Sequence, residues 1–203
     1  MALATKVVRH WRADGVLVRD ASPPTLRRHT DECLRRLATD CIDLLYLHAP
    51  DANVPVVESA GALVELLSEG KARAVGVSNL TVAQMEEFAA VCPIAACQPP
   101  DNLLQREIEA GVLNWCRDHN VAVLAYEPLA KGLLTGKFRE GHVFPESDWR
   151  REAPLFQGEA WRRSLAVVER LHPIADDLGC PLGNRAAGNR RGAVRRQDAR
   201  TDR

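Results

Sequence analysis

Short apolar runs alternate with longer segments whose apolar residues recur at helical spacing, from the N-terminus to about residue 180. This is the pattern of a parallel α/β fold. Ala2–Val8 predicts a strand, and Ser22-Pro23-Pro24 then supplies a cap and early prolines for a helix over about Pro24–Ala38. Ile42–Leu47 is a continuous apolar run, too short for a helix after Thr39-Asp40, and predicts a buried strand. Pro55 opens the next helix, in which Val56, Val57, Ala60, Leu63, Val64, Leu66 and Leu67 keep helical spacing until Gly70. Ala72–Val77 reads as a strand, Thr81 as the N-cap of a helix to about Val91, Ile94–Cys97 as a short strand, Arg106–His119 as a helix and Val121–Tyr126 as a fifth strand. A long loop over about residues 130–158 leads to a last helix near Glu159–Leu178.

The predicted strands end near residues 6, 48, 78, 98 and 126, at intervals of 42, 30, 20 and 28. An eight-unit barrel of about 250 residues uses roughly 31 per βα unit. The arithmetic therefore suits a partial (β/α)8 barrel with about five of eight strands. An open doubly wound sheet fits the periodicity nearly as well, but no G-x-G-x-x-G supports its dinucleotide-binding version.

Composition changes this picture in one respect. The formal net charge is zero, with 27 basic and 27 acidic residues, but residues 183–203 hold seven arginines and two aspartates. An acidic body is thus cancelled by a basic tail, and the two are read separately. The tail has no Leu, Ile, Phe or Trp, so it is expected to stay disordered, with residues 1–182 forming the folded part. Arginine-rich tails can bind phosphate backbones, yet this one lacks aromatic residues for base stacking, which disfavours a nucleic-acid partner. A frame shift or a truncation accounts for it better.

No apolar run is long enough to span a membrane, and MALATKVVRHWRADG lacks the apolar core of a signal peptide. The six cysteines show no C-x-x-C pair and no zinc-like spacing to histidine, as expected of free thiols in a reducing cytoplasm.

Functional groups of parallel α/β folds sit at the C-terminal ends of strands and in the loops that follow. Five such ends are polar here: Lys6, His48, Ser78-Asn79, Gln98 and Tyr126. Each alone would pass for a solvated or locally satisfied residue. Together, each closing an apolar run, they suggest a polar floor that could hold a ligand by stacking and hydrogen bonding.

The string CIDLLYLHAPDANVPVVESAGALVELLSEGKARAVGVSNLTVAQMEE, then PIAACQPPDNLL and VAVLAYEPLAKGLLTGKF, closely resembles the aldo-keto reductases, NADPH-dependent (β/α)8-barrel oxidoreductases. The resemblance runs from about Ala2 to Gly179 and implies reduction of a small-molecule aldehyde or ketone to an alcohol. It implies catalytic roles for Lys6 in LATK and His48 in YLHAP. Ser78 and Asn79 in GVSN, with Gln98 in CQPP, match groups that bind the nicotinamide carboxamide; Tyr126 matches the aromatic residue under the ring; Leu129 and Lys131 lie in the loop that passes the diphosphate.

The departures carry expectations of their own. The family's catalytic tyrosine and aspartate belong to strand units preceding the lysine, and only five residues precede Lys6. Of the two tyrosines, Tyr126 has the stacking role and Tyr46 lies one pleat below His48, where nothing in the resemblance makes it a proton donor. The chain is therefore expected to be inactive or nearly so. Glu127, where relatives often have a small hydroxyl residue, should repel the diphosphate unless Lys131 or another cation compensates, and Asp101 replaces a frequent tyrosine. An unclosed barrel also exposes strand edges, which predicts self-association. The main alternative is a non-catalytic nicotinamide-binding or regulatory module.

Overall fold

The computed structural model describes residues 2–184; the arginine-rich tail lies almost wholly outside the described residues. The chain divides into two compact units, one of residues up to Pro99 with Ile108–Ala125, the other of Pro100–Glu107 with the segment from Tyr126 onward.

The first unit is built on β1 (Ala4–Val7), β4 (Leu44–Leu47), β5 (Val75–Val77), β6 (Ala96–Cys97) and β7 (Ala122–Val123), a five-stranded sheet in the order β1-β4-β5-β6-β7. Every pairing is parallel, with Lys6 opposite Tyr46, Tyr46 opposite Gly76, Gly76 opposite Ala96 and Ala96 opposite Ala122. Alternation puts Val7, Leu47, Val77, Cys97 and Val123 on the other face. These residues join the aliphatic core with Leu26, Leu63, Leu66, Met85, Phe88 and Trp115 from α1 (Pro23–Leu37), α2 (Val56–Ser68), α3 (Val82–Ala89) and α4 (Val112–Asp118). The expected strands and helices are thus present, mostly shorter than their apolar runs.

Local chemistry fixes the helix ends. Pro23 occupies the first turn of α1, and Ala38 closes it at φ 50°. Thr81 forms a reciprocal capping box with Gln84 at the start of α3. The single helix expected over Arg106–His119 is instead a 3-10 turn at Glu107–Ala110 followed by α4, because Gly111 at φ −164° interrupts the helical path.

The strand expected over Ala2–Val8 ends at Val7, and a hairpin of β2 (Arg9–Trp11) and β3 (Leu17–Arg19) follows it. Its turn uses Gly15 at φ 78°, with Arg12 accepting the Gly15 N–H and Asp14 capping the Val16 N–H at 3.1 Å. Val8, the junction residue, is fully buried at φ 109°, a conformation β-branched residues rarely adopt. The His29 ring accepts its N–H at 3.4 Å, and its carbonyl accepts the Asp20 N–H at 3.1 Å.

Among the described residues, the second unit has one long helix, α5 (Gly158–Asp177), and a second buried cluster that includes Leu133, Leu134, Phe138, Phe156 and Val168. The loop expected over residues 130–158 contains 3-10 turns at Ala130–Thr135, Trp149–Glu152 and Pro154–Phe156. Phe138 meets Phe144, Phe156 and Trp161 at ring separations of 5.3–6.0 Å. Arg150 lies over Phe138 and Phe144, grips the Asp148 carboxylate at 2.6 Å and donates to the Lys131 carbonyl at 3.4 Å. That arrangement packs a segment with little regular backbone pairing around aromatic rings and one buttressing guanidinium.

Candidate active site

Parallel register delivers the first group of candidate residues to one end of the sheet. Lys6 stands opposite Tyr46, and its ammonium is 5.9 Å from the centre of the Tyr46 ring. His48 falls two residues beyond Tyr46, on the same face. Its backbone N–H donates to the Val7 carbonyl at 3.2 Å, so the histidine is tied to the strand that carries the lysine.

The next rungs repeat the device. Ser78 N–H donates to Leu47 at 3.0 Å and Gln98 N–H to Val77 at 2.8 Å. The Ser78 hydroxyl then donates to the Gln98 carbonyl at 2.7 Å, and the Asn79 amide to the His48 carbonyl and Ser78 Oγ, both at 2.9 Å. Asn79 takes φ 61°, which asparagine tolerates better than most residues. Lys6, His48, Ser78, Asn79 and Gln98 are thereby brought together.

The other candidates belong to the second unit. Tyr126 accepts the Asp101 N–H at 3.2 Å and bridges to Pro100. Asn102, nearly fully buried, donates to the Glu127 carbonyl at 3.1 Å and holds the following turn. The Leu129 carbonyl accepts the N–H groups of Gly132 at 2.9 Å and Leu134 at 3.2 Å, across a stretch where Ala130, Lys131 and Gly132 all have positive φ. Lys131 Nζ is 3.8 Å from the Glu127 carboxylate and 5.2 Å from the centre of the Trp149 ring. The cation expected to offset Glu127 therefore pairs with it.

Electrostatics separates the two titratable groups beside Lys6. Burial, followed by the positive charges of Arg9, Lys6 and Arg19, pushes the His48 imidazole down to about 4, so it is neutral at pH 7. Burial, followed by Cys97, pushes the Tyr46 phenol up, and its hydroxyl is buried without a hydrogen-bond partner among the described residues. A phenol shifted in that direction is a weaker acid. Tyr46 lies across β5: a Cβ at Gly76 would come within 2.4 Å of the Tyr46 ring. Gly76 is thus required by a side chain of the neighbouring strand.

Sequence reasoning did not single out Arg9 and Arg19. The available signal was Asp14-Gly15, a hairpin turn pair, which would have placed them opposite each other. Among the described residues no group of three or more His, Cys, Asp or Glu is placed to hold a metal, and no helix is long and apolar enough to cross a membrane. All six cysteines are free thiols.

Residues 1–186 match the aldo/keto reductase family. The chain belongs to that family. Among curated aldo-keto reductases it is 40% identical over 173 residues to YhdN of Bacillus subtilis, covering 85% of this chain and 52% of that protein. It is 35% identical over 164 residues to the enzyme named aldo-keto reductase yakc [NADP(+)] of Schizosaccharomyces pombe, covering 79% of this chain and 48% of that one. The chain spans about half the length of these relatives. The glycerol dehydrogenase of Gluconobacter oxydans superposes with a TM-score of 0.85 at 39% identity, over 91% of this chain and 58% of that chain. The holo aldo-keto reductase of Bacillus halodurans gives 0.71 at 26%, over 92% and 57%. The five-stranded parallel sheet and its helices are the part of the aldo-keto reductase fold that this chain contains, consistent with a partial barrel.

Proposed function

We propose that the chain carries the lysine–histidine and carboxamide-binding parts of an NADPH-dependent carbonyl reductase site. The observation that supports this most directly is the parallel register that joins Lys6, His48, Ser78, Asn79 and Gln98 at adjacent strand ends. A hydroxyl and two primary amides in succession are the donor and acceptor set that a carboxamide requires. The side-chain amide of Gln98 has no hydrogen-bond partner among the described residues. In this reading Tyr126 supports the nicotinamide ring, and Leu129 and Lys131 run beside the diphosphate.

When bound, the dihydronicotinamide supplies hydride to a carbonyl carbon. Negative charge then develops on the carbonyl oxygen, where a fixed cation is most valuable. Lys6 provides that charge, and neutral His48 hydrogen-bonds the same oxygen and orients it. The oxygen finally needs a proton. No residue of the 203 matches the family's tyrosine and aspartate, and a positioned general acid contributes about 10²–10⁴-fold. This 203-residue chain, assayed by itself, therefore binds the cofactor and turns over slowly or not at all.

The test combines a thermal shift with NADPH and its oxidation in the presence of several aldehydes. The expected result is a raised melting temperature and near-background turnover, which would make this chain a nicotinamide-binding module. Robust turnover that Lys6→Met abolishes and Tyr46→Phe leaves intact would overturn the account of the proton donor. No shift with NADPH would overturn the cofactor assignment.

A further inference from the structure

We propose that the outer face of the β2–β3 hairpin recognises an anionic group on the carbonyl substrate, a carboxylate or phosphate joined to an apolar body. This names the substrate class of the site proposed above and rests on that reading of Lys6 and His48.

The hairpin register puts Arg9 directly opposite Arg19. Side chains so paired have Cβ atoms about 5 Å apart, and like charges there are destabilising. Neither arginine has an ion pair or a side-chain hydrogen bond among the described residues. Several other arginines of the same unit have carboxylate partners: Arg12 at the hairpin tip has Asp14, Arg27 has Glu65 and Glu69, and Arg73 has Asp43. The carboxylates nearest in sequence are engaged elsewhere: Asp14 pairs with Arg12, and Asp20 accepts from Ser22 N–H and the Thr25 hydroxyl. Two arginines opposed across the hairpin thus lack a counter-anion among the described residues.

Alternation extends the patch. Trp11 and Leu17 form the pair on the same face as Arg9 and Arg19, and they are 71% and 46% exposed. The opposite face is anchored, since the His10 ring lies 4.9 Å from the ring of His29 on α1. A slip of one residue would exchange the two faces, so the contact that holds His10 inward also holds the arginines outward. Facing cations beside an exposed indole and an aliphatic chain complement an anion attached to an apolar group.

The hairpin is also rooted at the candidate site. Val7 bonds His48, and Val8 fastens both strands through His29 and Asp20. Arg9 follows directly, and the charges of both arginines are felt at the His48 imidazole. A substrate whose carbonyl meets Lys6 and His48 can therefore extend its anionic end along the hairpin.

Calorimetric titration without cofactor tests this, comparing 4-carboxybenzaldehyde, 4-formylphenyl phosphate and the neutral methyl 4-formylbenzoate. At low salt at least one anionic aldehyde should bind about tenfold tighter than the ester, and which one does identifies the group. Added salt should shrink the advantage, and Arg9→Gln with Arg19→Gln should remove it while leaving the NADPH thermal shift unchanged. The double variant relieves a like-charge pair at exposed positions, so its melting temperature should hold or rise. Equal affinity for all three probes would overturn the proposal, as would a preference that survives in the double variant. A loss of NADPH binding in that variant would reassign the arginines to cofactor phosphates and overturn it too. Anion preference through these arginines in a chain that NADPH does not stabilise would uphold this inference and sink the cofactor assignment.

Discussion

The two units bury apolar surface in different ways. In the first, aliphatic side chains such as Leu45, Leu47, Val75 and Val77 alternate along strands whose backbone groups are satisfied by a parallel ladder. In the second, Phe138, Phe144, Phe156 and Trp161 gather around short turns, and Arg150 supplies polar contacts that a ladder would otherwise make. A sheet distributes its stability over many small rungs, whereas an aromatic cluster concentrates it in a few large contacts. The lysine–histidine group sits on the first kind of scaffold, and the expected diphosphate loop on the second. Functional groups placed by register should resist distant mutation better than groups placed by a cluster.

The largest expected effect tests that contrast. Phe138→Ala removes a ring that is 3% exposed and should cost about 3–5 kcal/mol in denaturant unfolding. Hydrogen exchange should rise first in residues 126–184, while β4 and β5 stay protected. Uniform loss of protection would show that the two styles of packing do not differ in the sense argued. Thr81→Ala is smaller, about 1 kcal/mol for the lost cap. Because α3 packs on the sheet through Met85 and Phe88, it should soften the first unit evenly without displacing His48.

Acid provides the finest comparison. The His48 imidazole is held down to about 4, against an ordinary value near 6.5. The unfolded chain therefore takes up the proton first, so the contribution of neutral His48 is fully present above about pH 6.5 and is lost as pH falls towards 4. In the second unit Arg150 holds the Asp148 carboxyl at about 2, so that contribution persists until pH falls below the ordinary carboxylate range. The melting temperature should decline between pH 6.5 and 4, and a His48 imidazole resonance titrating near 6.5 in the folded protein would contradict this.

How much was legible in the sequence follows the same division. The strands around Leu44–Leu47 and Val75–Val77 were readable because burial on a parallel sheet demands continuous apolar runs, and the polar residue ending each run marked Lys6, His48, Ser78 and Gln98. The β2–β3 hairpin was not readable from periodicity, because Arg9, Trp11, Leu17 and Arg19 share an exposed face that mixes charged and apolar residues. Its arginines acquire meaning only by pairing across the turn. The segment around Glu127, Ala130 and Lys131 was hidden for another reason. Its left-handed backbone is imposed on residues other than glycine by neighbours such as Asn102 and Arg150, and composition does not record that.

The contact between Tyr46 and Gly76 has a consequence for how such a sequence can change. The ring of one residue occupies the volume that any side chain at the other would need, so positions 46 and 76 are not independent letters. A larger residue at 76 is admissible only after Tyr46 has become smaller, and even then its Cβ would lie 3.0 Å from the Ala96 carbonyl oxygen; the opposite order passes through the clash with the ring. The two sites therefore impose a direction on mutational paths through this sheet, with position 46 acting as the gate.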